Sequence, residues 1–148
     1  MMKNYTDILQ ELREDKDLRQ LDIANVLGCT RQNYAKIETS KSLLSIEQLV
    51  KLSNFYKLTV DYLLGISDKR EPIIANKNFN YASMVERISN IRKENNYTQL
   101  FIAAEVLNIT QSMYSRLENC IHSIDILSLM KLADLYKVSV SYLLGLED

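Results

Sequence analysis

Apolar residues recur along this chain at three- and four-residue intervals, the spacing of one helix face, and short polar residues or glycines separate the stretches. Ile8, Leu9 and Leu12 make the first stripe. Leu18 precedes a segment in which Leu21, Ile23, Ala24 and Leu27 share one broad face. Gly28 ends it, as glycine does where the chain must turn through positive φ. Thr30 is placed to cap a third helix with Tyr34 and Ile37 inward. Ser45 caps a fourth, with Leu49, Leu52 and Tyr56 on one face, and Thr59 caps a short last helix closed by Gly65. The pattern then returns. Val85, Ile88 and Ile91 form a stripe, Thr98 caps the next segment, and Asn108 stands where Gly28 stood, suited to the left-handed conformation. Thr110, then Ser123 or Asp125, then Ser139 cap the remaining helices. The prediction is an all-α chain of about ten helices.

The recurrence is quantitative. Residues 104–148 repeat residues 24–68 at an offset of 80, with 18 of 45 positions identical. YLLG at 62–65 returns at 142–145, and LVKLSNFYK at 49–57 returns as LMKLADLYK. The offset is 79 up to Gln99 and 80 from Ala104. One extra residue therefore falls within or just after the second helix of the second copy, near Leu107, where it would tilt the helix that follows. A unit this long is a small domain rather than a solenoid repeat. The boundaries read as a domain over 1–68, a linker over 69–80 and a second domain over 81–148. The linker holds the chain's one proline, Pro72, and three asparagines, with Ile73, Ile74 and Phe79 available to pack onto a domain.

Three glycines and one proline fit long helices better than a turn-rich sheet protein. With no apolar run of about eighteen residues and no N-terminal apolar leader, the chain is expected to be cytoplasmic and free of membrane. Cys29 and Cys120 occupy non-equivalent positions and are expected as reduced thiols, Cys29 as a small buried residue. One histidine, His122, and no C-x-x-C spacing argue against a metal, and no cofactor is expected. No nucleophile–base pair or phosphate-cradling glycine loop appears, so no enzymatic activity is expected. Net charge is −1, weak for a nucleic-acid binder on total charge, so local placement decides. Residues 1–70 carry eleven Lys/Arg against ten Asp/Glu, and residues 71–148 carry seven against nine.

The informative stretch is a helix, a sharp turn at Gly28–Cys29, and a second helix beginning at Thr30. A helix N-terminus with free N–H groups and short polar side chains suits a phosphate and then base edges. Arg31, Gln32 and Lys36 fall on one face of that helix, opposite Tyr34 and Ile37. Arg or Lys pairs with guanine acceptors, and Gln with adenine.

Arg13, Leu18, Gln20, Ala24, Gly28, Thr30, Tyr34, Ile37 and Glu38 resemble the helix-turn-helix pattern of the phage-repressor and Cro-like (XRE) transcriptional regulators. Arg92, Thr98, Gln99, Ala103, Thr110, Tyr114, Leu117 and Glu118 resemble it again, and both copies continue into stretches similar to that family's fourth and fifth helices. The resemblance implies two tandem five-helix lambda-repressor-like domains. It implies a sequence-specific DNA-binding transcriptional repressor that sets the third helix of each domain in the major groove of double-stranded DNA. Base reading would fall to Arg31, Gln32 and Lys36, and to Gln111, Ser112 and Arg116. Phosphate contacts would fall to Gln20, Thr30, Asn33 and Lys41, and to Gln99, Thr110 and Asn119. Arg13 with Glu38, and Arg92 with Glu118, would be the family's internal ion pair. The fifth helices, Tyr62–Leu64 and Tyr142–Leu144, would be candidate homodimer surfaces.

The two copies depart from the pattern unequally. Arg19 replaces the usual threonine cap and adds a cation for phosphate. Segment 30–41 has a net charge of +2, whereas 110–121 is neutral, and Met113 and Ile121 replace Asn33 and Lys41. Two arrangements follow. Both copies read half-sites about one helical turn, roughly 34 Å, apart, a distance the linker can span when extended. Alternatively, residues 1–68 bind DNA and the C-terminal copy is a dimerisation or protein-interaction module of the antitoxin or anti-repressor type.

Overall fold

The computed structural model describes residues 3–73 and 78–147, and Ile74 lies outside them. The chain divides into two compact units, residues 1–76 and 77–148. Ten helices and no strand occur among the described residues.

The first unit comprises α1 (Tyr5–Asp15), α2 (Gln20–Leu27), α3 (Arg31–Glu38), α4 (Ile46–Tyr56) and α5 (Val60–Leu63). Each begins where a short polar side chain or an acid satisfies a free N–H of the first turn. Asn4 accepts from Thr6 N, Thr30 from Asn33 N, Ser45 from Gln48 N and Thr59 from Tyr62 N, each at 3.1 Å. Helix α2 packs on α3 and α4, and α1 packs on α3 and α5, so α3 is held from two sides. The core is Leu9, Ile23, Ala24, Tyr34, Leu49, Leu52 and Val60, all fully buried. Each large aliphatic among them contributes roughly 1.5–3 kcal/mol of burial. Leu21 does not join its predicted face. It is 40% exposed, because it sits at the margin of the stripe that Ile23, Ala24 and Leu27 form.

The second unit comprises α6 (Tyr81–Glu94), α7 (Gln99–Phe101, continuing over Ile102–Leu107), α8 (Gln111–Glu118), α9 (Ile126–Tyr136) and α10 (Val140–Leu143). Its caps fall where the sequence places them, with Asp125 rather than Ser123 before α9. The extra residue is absorbed inside the second helix, where Ile102–Leu107 winds as a π-helix. In the first unit Cys29 N donates to Ala24 O, and in the second Ile109 N donates to Ala103 O, one residue further along the chain. Ile102 and Ala103 are fully buried, as Ile23 and Ala24 are, while Ala104 is exposed. The slip therefore lies after Ala103, and the Ala24/Ala104 identity pairs a core residue with a surface one.

Backbone conformation repeats more faithfully than sequence. Positive φ occurs at Asp17, Gly28, Ser40, Lys57 and Gly65, and again at Asn96, Asn108, Cys120, Lys137 and Gly145. Seven of these ten are not glycine; at Ser40, Lys57, Cys120 and Lys137 the left-handed backbone costs about 1–2 kcal/mol each, so tertiary packing sets those turns.

Two further expectations are corrected. The leucines of both YLLG motifs, Leu63, Leu64, Leu143 and Leu144, are buried in their own units, so Tyr62–Leu64 and Tyr142–Leu144 cannot present leucine surfaces to a partner. In the first motif only Tyr62 keeps accessible area, and in the second only Tyr142 and Gly145 do. Cys29 is half-buried rather than buried, and Cys120 is exposed. After α5, the chain folds back on the first unit: Ile73 N donates to Lys57 O at 2.9 Å, and the Arg70 guanidinium lies 6.0 Å from the Tyr62 ring. No helix among the described residues is long and apolar enough to cross a membrane.

Candidate functional site

The turn between α2 and α3 is made by Gly28 at φ 72°, ψ 32°, followed by extended Thr30. This places the first turn of α3 at the surface, with the N–H of Asn33 taken by the Thr30 hydroxyl. Arg31, Gln32, Asn33 and Lys36 are exposed, while Tyr34 and Ile37 are buried on the opposite side. Lys41 is exposed just beyond the helix, its N–H bound to Lys36 O at 2.8 Å. The predicted reading face is therefore continuous along one side of α3.

A buried ion pair fixes that helix from beneath. Arg13 Nε and Nη2 donate to the two carboxylate oxygens of Glu38 at 2.8 and 3.0 Å, and Nη1 donates to Leu18 O at 2.9 Å. The side chains are 13% and 3% exposed, so α1, α3 and the α1–α2 turn are locked by one fork. Burial alone would raise the Glu38 carboxyl, but hydrogen bonds from Arg13, with Gln20 and the nearby Tyr34 hydroxyl, hold it below its ordinary value. The same burial and carboxylate push the Tyr34 and Tyr56 hydroxyls far up, so both stay neutral.

Gln20 joins this brace to the surface. Its amide donates to Glu38 Oε1 at 3.3 Å, and its carbonyl oxygen accepts from Arg31 Nη1 at 3.2 Å. Gln20, expected at a phosphate, is thus also the link that orients Arg31. Arg19 is 74% exposed but forked onto Asp22, whose carboxylate in turn accepts Arg19 N at 2.7 Å. Asp22 thus satisfies the residue 19 N–H, while the N–H a threonine cap would take, that of Asp22, bonds the Arg19 carbonyl instead.

The second unit reproduces the brace. Arg92 Nε and Nη2 meet Glu118 at 2.8 and 2.9 Å, Arg92 Nη1 meets Tyr97 O at 2.8 Å, and Gln99 donates to Glu118 at 3.4 Å. Burial again opposes, and Arg92 again outweighs it, so Glu118 is held low. Gln111, Ser112 and Arg116 are exposed, and with Gln99 and Ser115 they line one shallow cleft. Thr110 caps α8 by accepting Met113 N at 3.1 Å, and exposed Asn119 ends it. Around this face Met113 is 43% exposed and Ile121 is 70% exposed, the largest exposure among the described large apolar residues. Phe101 stands where Asp22 stands in the first unit, and its ring stacks on Tyr97 at 4.9 Å. The Gln20 bridge and the Tyr97–Phe101 stack were not read from sequence; only the Asp22-to-Phe101 change was visible there.

A helix-turn-helix family model matches residues 9–63 and again residues 88–143. The chain is 30% identical over 74 residues to YobD, an uncharacterized helix-turn-helix-type transcriptional regulator of Bacillus subtilis (strain 168), covering 50% of this chain and 66% of that protein. It is 39% identical over 77 residues to the helix-turn-helix-type transcriptional regulator ImmR of the same organism, covering 50% and 61%. It is 27% identical over 103 residues to the cryptic phage CTXphi transcriptional repressor RstR of Vibrio cholerae, covering 70% and 86%. The chain thus spans 61–66% of the length of these two Bacillus relatives. No solved structure matches it.

Proposed function

We propose that this chain, which belongs to the helix-turn-helix family, is a sequence-specific DNA-binding transcriptional regulator of the repressor type, with α3 and α8 each entering a major groove. The supporting observation is the exposed row Arg31, Gln32 and Lys36 on a helix whose other face is locked by the Arg13–Glu38 fork. A rigid helix offering a fork, an amide and a cation at its surface has the donors that guanine and adenine edges require. Arg31 and Lys36 take guanine, and Gln32 takes adenine. Gln111, Ser112 and Arg116 do the same work from α8. Thr30, Asn33, Lys41, Arg19 and Gln20 hold the phosphates of the first half-site, and Gln99, Thr110 and Asn119 those of the second. Binding and positioning are the whole activity, with no chemical step.

Anisotropy titrations of full chain on a selected duplex, at one fixed salt concentration, test this. Arg31→Ala should weaken binding by about 1–3 kcal/mol and relax preference at one base pair. Lys41→Ala should weaken all sequences alike and lower the salt slope by about 1. Arg116→Ala should weaken binding through the second half-site. Unchanged affinity in both arginine variants would overturn the DNA reading, and a loss confined to Arg31→Ala would remove α8 from it.

A further inference from the structure

We propose that Met113 makes α8 a reader of thymine methyl groups, so that the second unit selects a thymine-containing half-site by an apolar contact. The proposal rests on the DNA reading above. Met113 and Asn33 occupy the same step of their helices: each backbone N donates to its cap threonine, Thr110 or Thr30, at 3.1 Å. Arg116 lies three residues on from Met113, on the same side of α8. An asparagine amide at this step can bond a phosphate, but a thioether cannot. Met113 is 43% exposed, and its long unbranched side chain is able to reach an apolar group on a base edge. The thymine C5-methyl is the apolar group on the base edges of the major groove.

Ile121, 70% exposed, adds a second apolar group at the end of this face, but the cleft beside Met113 has the polar lining that base edges require. Gln99, Gln111, Ser112, Ser115 and Arg116 line the adjoining cleft, and all are polar. Charge does not favour DNA here, but it sets how such a face would read it. Ile121 stands where Lys41 stands, and segment 110–121 has no net charge, so fewer phosphates are held and more discrimination falls on base edges.

The test uses full-length protein and a duplex enriched from a random pool, with thymines replaced by deoxyuridine one half-site at a time. Loss of a buried methyl should weaken wild-type binding about two- to fourfold in the half-site that Arg116→Ala also weakens. Met113→Ala should bind thymine and uracil duplexes equally, and its exposed position leaves the fold intact. Binding that ignores the substitution in the wild type overturns the proposal while leaving DNA reading in place. Uracil sensitivity that persists in Met113→Ala also overturns it. A Met113→Ala variant that changes sedimentation but not uracil sensitivity assigns the residue to a protein contact and overturns it. Failure to enrich any duplex overturns both readings together.

Discussion

The two units share a skeleton and differ in what they show to solvent. Five left-handed turns, three threonine or serine caps apiece and the Arg–Glu fork recur, while the exposed side chains of α3 and α8 do not. Buried geometry admits few solutions. Removing Arg13 or Arg92 strands a carboxylate, whereas changing Asn33 to Met or Lys41 to Ile strands nothing in the free protein. The comparison teaches that the fold is duplicated and the exposed face of α3 is not.

The largest expected effects test the shared part. Arg13→Ala and Arg92→Ala should each cost about 3–5 kcal/mol in denaturant unfolding, because each leaves a buried carboxylate unpaired. Equal losses would mark the forks as equivalent; a small loss in one unit would break the equivalence. The forks also set an acid limb. Glu38 and Glu118 are held below their ordinary value of 4.5. Their contribution is therefore complete above that value and lost as pH falls through the depressed folded values. Thermal unfolding followed from neutral pH downward should show this loss, and Glu38→Gln with Glu118→Gln should flatten it. An unchanged acid limb in the double variant would contradict the assignment.

Glycine separates the units next. Gly65 and Gly145 have nearly the same φ, +78° and +77°. A Cβ at Gly65 would lie 2.3 Å from the Lys3 carbonyl oxygen, while one at Gly145 meets nothing within 4 Å. Gly145→Ala should cost about 1–2 kcal/mol from left-handed strain alone, and Gly65→Ala measurably more. Equal costs would show that residue 3 yields freely. The smallest effect concerns the second helices. Thr98→Ala should cost about 1 kcal/mol, because Thr98 caps α7 through Phe101 N at 3.0 Å. Arg19→Ala should fall within about 0.5 kcal/mol, because Asp22 takes the Arg19 backbone N–H whatever side chain residue 19 carries. A larger loss in Arg19→Ala than in Thr98→Ala would reverse that account.

Much of this was legible in the chain. Caps such as Thr30, Thr59, Thr110 and Ser139, the buried stripes, and the exposed row on α3 all follow from local rules, because a cap or an apolar period acts within one helical turn. Properties set by distant packing were not. The left-handed turns at Ser40, Lys57, Cys120 and Lys137 fall on residues that carry no local signal for that conformation. Burial of Leu64 and Leu144 depends on the first helix of each unit, which the YLLG motif does not contain. The slip was visible, but its place was hidden by the chance identity of Ala24 with Ala104, since a π-turn has no residue signature of its own. The role of Gln20 needed side chains from three helices to be seen together.

The central claim is one fold carrying two unlike reading faces. Selection of duplex DNA from a random pool by the full chain tests it most directly. The account predicts enrichment of a site with two dissimilar halves, one weakened by Arg31→Ala and the other by Arg116→Ala. A perfect palindrome read equally through both helices, or no enriched sequence at all, would contradict it.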